Sequence, residues 1–527
     1  MTALEHARIA ASAEDRGDRH LRPAPSGGLK PLGSGDRRLV RVTAALDTAT
    51  TIGGQHTLWM LTNLLARQFK VIDHLEILLP AVPMHPGVAL FGHATDLSQS
   101  MAATATLIAG TDMEVSVSTD ASVFKVATME VCVGTFQNRR SRAQYSVSVL
   151  GDGWRVMAGE TIARLVRTEP DNPSPFGPYF AACVGAGEVF KRLHGMMPTK
   201  GHFVDNWDMS LWDWDARDRA LTMQEPRPDG LILPSAYLVG AGAVGQALVA
   251  TLVAAQTRGH LTVIDDDTID DTNANRYPLV TVHDVGKVKS KFATDFLCTS
   301  RMTAYDSPTP WPHYAYELPH SGQRADLQAL EAGYKYQLVL SCVDRNRHRH
   351  AIQKFWPHYI VGSSTDDFSI QVSAYDMNTD NECLICGNPL DGSEATIEST
   401  AEVLRRLPAA DRRKLLEVQD VDVGAVEEYL ADPKCGEAGE RELAKFLLGH
   451  QLHDWSVGFV SVAAGVLLAT QLVKLAVGGA QLAFPRDIGA TLRYNFLNPG
   501  PRRSTHGRRA ACVCGAEGAH MFRELWS

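Results

Sequence analysis

Residues 237–291 read YLVGAGAVGQALVATLVAAQTRGHLTVIDDDTIDDTNANRYPLVTVHDVGKVKSK, and they decide the fold. An apolar run, Tyr237 to Val239, breaks into Gly240-Ala241-Gly242-Ala243-Val244-Gly245. A helical run follows from Gln246 to Ala255, and a second apolar run, Leu261 to Ile264, ends at Asp265. The order is strand, glycine turn, helix, strand with a carboxylate at its tip. Glycines let the backbone turn tightly and approach a phosphate, and the helix amino terminus offers N–H groups and a positive dipole end to the anion. An ionised Asp265 is an acceptor for two ribose hydroxyls.

A glycine turn of this kind serves NAD, FAD and ATP alike. The residues after Asp265 separate them. Asp266, Asp267, Asn273, Arg276 and Lys289 place an amide and two cations close behind the ribose carboxylate. A dinucleotide does not need cations there. A triphosphate does, because attack at a phosphorus requires its negative charge to be neutralised.

This ordered set resembles the adenylating domain of the ThiF/MoeB/HesA family, which includes ubiquitin-activating enzymes. The family pattern is a glycine turn, D-x-D, N-x-x-R and a lysine about a dozen residues on. Asp265 to Asp267, Asn273 to Arg276 and Lys289 match it in order. QLVLSCVDRNRHRH, Gln337 to His350, adds an apolar strand that ends in Asp344, where the family places its magnesium-binding aspartate. Ala243 departs from the pattern, since many members carry a further glycine there. The resemblance implies ATP bound at Gly240, Gly242, Gly245, Asp265, Asp267, Asn273, Arg276 and Lys289, with Mg2+ at Asp344. Arg276, Lys289 and Asp344 are then also catalytic.

The chain has 527 residues, enough for several domain-sized units, and its 45% hydrophobic and 21% charged content is that of a soluble globular protein. A net charge of −9 argues against nucleic acid and anionic membrane as partners. Nine cysteines, an odd count with two close pairs, favour thiols and metal in a reducing, cytoplasmic compartment over a disulfide framework. The first twenty residues are too charged for a signal peptide. Val457 to Val477 is the longest apolar stretch, but Ser461, Thr470, Gln471 and Lys474 make it a buried helix rather than a membrane span.

Residues 1–38, rich in Gly, Pro, Arg, Asp and Ser, read as a mobile tail. From Leu39 a strand, a Gly53-Gly54 turn, a helix with Leu58, Leu61, Leu64 and Leu65, and a second strand near Lys70 repeat the nucleotide-fold order. No Asp…Asn-x-x-Arg…Lys set follows. Residues 39–205 thus resemble the inactive adenylation half that precedes the active half in eukaryotic ubiquitin-activating enzymes; an unrelated α/β domain docked on the active one is the alternative. Residues 206–232 read as a linker. Arg217 or Arg219 in it could reach the ATP site, or the stretch is simply solvated.

Residues 233–527 form the active domain. Within it, Cys383-x-x-Cys386 and Cys512-x-Cys514 supply four soft ligands for a structural zinc, since zinc binds four thiolates in a tetrahedron. The family carries CxxC twice; the C-x-C here needs a kinked backbone. Buried thiols or disulfides are the alternative. Residues 395–455 form a helical insert, in which Cys435 stands in KCGEAG. In the family a cysteine before x-E-A-G takes the activated carboxylate as a thioester, and Lys434 and Arg441 could help to deprotonate it. An idle surface thiol is the alternative. Cys132, Cys183, Cys298 and Cys342, in strands or apolar helices, read as core.

The expectation is therefore an α/β chain with two Rossmann-like ThiF-type adenylation domains, the first degenerate and the second active, with a catalytic-cysteine insert and a zinc site. The resemblance implies a ubiquitin-like protein as substrate, a conjugating enzyme as acceptor, and ATP, Mg2+ and Zn2+ as cofactors. A homodimer is one assembly that fits. The degenerate front half and the insert resemble the activating enzymes of bacterial Bil-type antiphage conjugation systems. The alternatives are an activator of a sulfur-carrier protein or a peptide-modifying adenylyltransferase, a catalytically silent scaffold, and an NAD oxidoreductase.

Overall fold

The computed structural model describes residues 37–118, 126–135, 143–159, 172–196, 207–214, 226–317, 336–390, 400–417, 421–431, 439, 442–443, 446, 457–477, 490–510 and 512–526. Its first sheet has seven strands: β1 (Leu39–Ala44), β2 (His74–Leu78), β3 (Glu114–Ser118), β4 (Ala127–Val133), β5 (Ala143–Asp152), β6 (Arg155–Gly159) and β7 (Trp207–Ser210). Among the described residues, the longer helices of this half are α1 (Ile52–Ala66), α2 (Leu97–Ala109) and α3 (Phe176–Leu193). The strand order is β3-β2-β1-β4-β5-β6-β7, parallel from β3 to β5 and antiparallel from β5 to β7.

The second sheet comprises β8 (Ala236–Val239), β9 (Arg258–Ile264), β10 (Arg301–Ser307), β11 (Leu338–Ser341), β12 (Tyr359–Asp366), β13 (Ser369–Asp376), β14 (Ala490–Asn495) and β15 (Arg502–Thr505). Its order, β10-β9-β8-β11-β12-β13-β14-β15, repeats the topology of the first and adds one strand. Among the described helices of this half are α4 (Ala243–Ala254), α5 (Lys289–Cys298), α6 (Asn346–Gln353), α7 (Val423–Ala431), α8 (Gly458–Val477) and α9 (Ala516–Trp526). The chain is thus mixed α/β with two parallel-dominated sheets of one strand order.

The two glycine regions differ in detail. Gly53 and Gly54 lie inside the first turn of α1, and Thr51 caps that helix by accepting the Gly54 N–H at 3.0 Å. A methyl group on Gly54 would stand 2.0 Å from the Thr48 carbonyl, so this glycine admits the helical turn Leu46–Ala49 packed in front of α1. β2 ends in Leu78, followed by Leu79 and Pro80, with no acid at its tip.

One continuous apolar core runs through both halves. α8, the long apolar helix, lies almost wholly inside it: 89% of its most apolar window is buried. It passes α4 at Gly465, where a methyl group would come 2.4 Å from Ala247 Cβ. Phe190 of α3 meets Phe459 of α8 at 5.6 Å and Phe368 at 6.0 Å. The Lys191 ammonium, paired with Glu188 inside the core, donates to the Phe496 carbonyl at 2.8 Å.

Two expectations change. Part of the stretch read as a linker is an edge strand: β7 pairs with β6, because Trp207 and Met209 find apolar cover there. Cys298 is exposed rather than core. It lies on the face of α5 that carries Lys291 and Asp295 at helical spacing, and that face meets solvent. Arg217 and Arg219 lie outside the described residues.

Candidate nucleotide site

β8, β9 and β11 are adjacent and parallel, and their ends are level: Val239 pairs with Ile264 and with Ser341. Gly240, Asp265 and Asp344 follow these three strands at the same sheet edge. Between β8 and β11 the strand order reverses, and a crevice outside the carboxyl ends at such a point is where open α/β sheets bind ligands.

The turn after β8 depends on glycine at two positions. Gly240 has φ +96°, and a methyl group there would stand 2.8 Å from the Cys342 carbonyl. At Gly245 a methyl group would meet the Gly240 carbonyl at 2.2 Å, so α4 could not start so close to the turn. Gly242 is the N-cap of α4 with no side-chain cap, which leaves the helix amino terminus facing the crevice.

Asp265 holds this turn from below. Its carboxylate accepts the Ala241 N–H at 2.6 Å and the Asp267 N–H at 3.0 Å. Burial pushes its pKa up to about 6, partly offset by the Lys289 ammonium, with Asp267 adding to the rise. Lys289 opens α5, largely buried, and its ammonium donates to the Asp267 carboxylate at 2.7 Å. Desolvation opposes the charge on Lys289, but Tyr277, Asp265 and Asp267 outweigh it and hold the proton above the usual range.

Asn273 and Arg276 lie on the loop between β9 and α5. Asn273 closes a capping box with Asp270: its side-chain oxygen accepts the Asp270 N–H at 3.1 Å, and Asp270 accepts from Thr272 at 2.7 Å. Asn273 therefore shapes the loop. Arg276 is half-buried; its guanidinium donates to the Thr272 carbonyl at 2.9 Å and to Asn275 at 3.0 Å.

Tyr277 brings these parts together, and no sequence pattern singled it out beyond its place beside Arg276. Its ring lies 5.3 Å from the Arg276 guanidinium and 5.9 Å from the Lys289 ammonium. Its hydroxyl would be 3.4 Å from a methyl group on Gly242. One buried phenol thus touches the surroundings of the glycine turn and both cations.

Asp344 is exposed, and His348 Nδ1 stands 3.9 Å from its carboxylate. Desolvation lowers the His348 pKa, and Arg347 and Arg345 add to the lowering, against the opposing pull of Asp344 and Asp266. The next residue, Arg345, donates to the Tyr429 hydroxyl at 3.3 Å. Tyr429 belongs to α7 in the 395–455 insert, which has its own small apolar cluster around Leu404, Leu416, Val426 and Leu443. The insert is thereby seated against the loop that carries Asp344. Cys435 lies outside the described residues. Cys342, behind the glycine turn, has its thiol pushed up to about 12 by burial, the reverse of what a nucleophile needs.

Cys383, Cys386, Cys512 and Cys514 place four sulfurs within 4.8 Å of one another. Cys383 and Cys512 sulfurs are 3.6 Å apart, and those of Cys386 and Cys514 3.4 Å. A tetrahedral zinc with four thiolates sets sulfurs about 3.8 Å apart, a spacing inside the range of this cluster. The kink that C-x-C requires is present: the chain turns from Cys512 to Gly515, closed by a 3.0 Å hydrogen bond, and Val513 points out. Backbone N–H groups of Cys386 and Arg509 donate to the Cys383 and Cys386 sulfurs at 3.4 and 3.3 Å. Phe522 and Trp526 of α9 cover the cluster with Trp356.

A family model described as "ThiF family" matches residues 233–514, more than half of the chain. An "Uncharacterized protein y4jF" from Sinorhizobium fredii is 25% identical over 425 residues, 73% of this chain and 76% of that protein. An "Adenylyltransferase and sulfurtransferase UBA4" from Eremothecium gossypii is 27% identical over 165 residues, 31% of this chain and 34% of that protein. Among solved structures, E. coli MccB with succinimide aligns at 14% identity over 53% of this chain and 66% of that chain, with a TM-score of 0.34. E. coli MccB with ATP aligns at 13% identity over the same shares, with a TM-score of 0.32; values of this size inform neither fold nor function. The match over 233–514 spans the glycine turn, the carboxylates, both cations and the cysteine cluster, and the chain belongs to the ThiF family.

Proposed function

We propose that this chain activates the carboxyl terminus of a ubiquitin-like protein by adenylation and then carries it as a thioester. The observation that carries the reading is the set around Tyr277: an open helix amino terminus at Gly242, the Arg276 guanidinium and the Lys289 ammonium gathered beside Asp265 at the strand ends. ATP lies across Gly240, Gly242 and Gly245, with its ribose on Asp265. Asp267 and Asn273 hold Lys289 and the loop in place. Asp344, an exposed acceptor-only carboxylate, fits the Mg2+ that accompanies the triphosphate and neutralises part of its charge. The substrate carboxylate attacks the α-phosphorus, pyrophosphate leaves, and Arg276 and Lys289 stabilise the added charge.

Cys435 then attacks the acyl carbon as a thiolate; AMP leaves and a thioester remains for transfer to the cysteine of a conjugating enzyme. The insert that carries Cys435 in sequence is seated against the Asp344 loop through Arg345 and Tyr429. Residues 39–205 act as the degenerate adenylation half, which agrees with their matching strand order and with a β2 that ends in Leu78 rather than in an acid. Zinc on Cys383, Cys386, Cys512 and Cys514 ties the chain's last helix to the second sheet. The conjugating partner is the feature that would align this chain with Bil-type systems.

The test is ATP–pyrophosphate exchange driven by a ubiquitin-like protein with a free carboxyl terminus. Arg276→Ala and Asp344→Ala should each lose roughly 10²–10³-fold in rate, while Cys435→Ala keeps exchange and loses the reductant-sensitive adduct. Wild-type exchange in both site variants would sink the assignment. A second reading, activation of a sulfur-carrier protein without a conjugating enzyme, draws on the relative named adenylyltransferase and sulfurtransferase. An adduct that never passes to a second protein's cysteine would favour it.

A further inference from the structure

The loop that carries Asn273, Arg276 and Tyr277 is gripped from the other half of the molecule. Arg67, which follows α1, is 1% exposed. Its guanidinium donates to the Ala274 carbonyl at 2.6 Å, the Pro278 carbonyl at 3.1 Å and the Val280 carbonyl at 2.9 Å. Its Nε donates to Asn63 at 2.8 Å, and the Asn63 amide donates to the same Pro278 carbonyl at 2.9 Å. Three backbone carbonyls on both sides of Arg276 and Tyr277 are thus fixed by one planar cation from the first sheet's half. Desolvation lowers the proton affinity of Arg67, opposed by Asp284, yet a guanidinium keeps its charge near neutral pH. A buried cation is costly to place unless it is hydrogen-bonded, and here three backbone carbonyls and the Asn63 side chain satisfy it. The loop is also confined on its far side: a methyl group on Gly458, at the start of α8, would meet the Asn275 carbonyl at 3.3 Å and Arg276 Cα at 3.5 Å.

We infer that Arg67 is a positioning residue for the nucleotide site, setting the loop so that Arg276 and Tyr277 stand beside the glycine turn. The inference rests on the nucleotide reading of that site and gives the first half a task beyond cover. Lysine at this position keeps the charge but offers a point donor in place of a fork that reaches three carbonyls.

The experiment uses the full chain and Mg·ATP, with affinity measured by calorimetry for wild type, Arg67→Lys, Arg276→Ala and the double variant. Arg67→Lys should weaken ATP by roughly tenfold, the scale of one or two charge-assisted hydrogen bonds, measured at a temperature below the lowered unfolding midpoint, where the variant is fully folded. The double variant should bind no more weakly than Arg276→Ala, because both changes remove one function. Wild-type affinity in Arg67→Lys, or losses that multiply in the double variant, would overturn the inference. Hydrogen exchange supplies a readout independent of nucleotide. In Arg67→Lys, and in Asn63→Ala if the lysine variant fails to fold, residues 271–284 should exchange faster while β8 and β9 stay protected. Unchanged exchange in that segment overturns the inference. Faster exchange in a chain that never binds ATP leaves the clamp standing and removes the nucleotide reading.

Discussion

Asp265 is the residue at which fold and chemistry pull in opposite directions. The proposed ribose contact needs its ionised form as an acceptor, yet burial raises its pKa to about 6 from an unfolded value of about 3.9. The sign follows from that rise. The group's contribution to folding is complete below about pH 4 and is lost as pH rises through about 6, where the folded chain must carry the charge. ATP affinity runs the other way: it should fall as pH drops through 6, approaching tenfold per unit below that point. In Asp265→Asn the affinity should be lower and should change less between pH 5 and 7, keeping only what ATP's own phosphate titration contributes. A wild-type profile no steeper than that of Asp265→Asn would remove the ribose role. At the same scale, Gly240→Ala should cost nucleotide binding heavily, since φ +96° and a carbonyl 2.8 Å away leave no room for a side chain.

At the scale of elements, the second sheet was legible because its signals are local. A glycine turn, a carboxylate at a strand tip and cations at fixed spacing can be read from residues 237–291 without knowing what packs on them. Tyr277 and Arg67 were not legible, because their importance comes from contacts across the fold: Arg67 and the Pro278 carbonyl are far apart in sequence and meet only when α1 docks on the loop. β7 was hidden for a similar reason. NWDMSLWDWD has no clean alternation, and only the neighbouring β6 makes it a strand. Cys298 misled because its helix is apolar on the other face. The crossing of α8 over α4 has its own test. Gly465→Val places methyls against Ala247 and the Leu248 backbone and should cost about 1–3 kcal/mol through overpacking, lowering the unfolding midpoint. An unchanged midpoint would mean that the two helices do not pack at Gly465. The cysteine cluster is an element-scale prediction too: elemental analysis of protein purified without chelator should find about one zinc per chain, lost in Cys386→Ser together with stability of α9. Full stability without zinc would leave the four thiols as plain core.

At the scale of the molecule, two sheets of the same strand order share one core, and the proposed function places the nucleotide on the second alone. In the first, a helical turn packs in front of α1 and β2 ends in Leu78 rather than in an acid. In the second, Gly240, Asp265, Arg276, Lys289 and Asp344 gather at level strand ends. The most direct measurement is therefore a calorimetric titration of the 527-residue chain with Mg·ATP. One nucleotide should bind per chain. In Lys289→Met, which removes the ammonium that bridges Asp267 and the Tyr277 ring, binding should weaken by at least about tenfold. Two sites per chain, or one site whose affinity is untouched in Lys289→Met, would contradict the account.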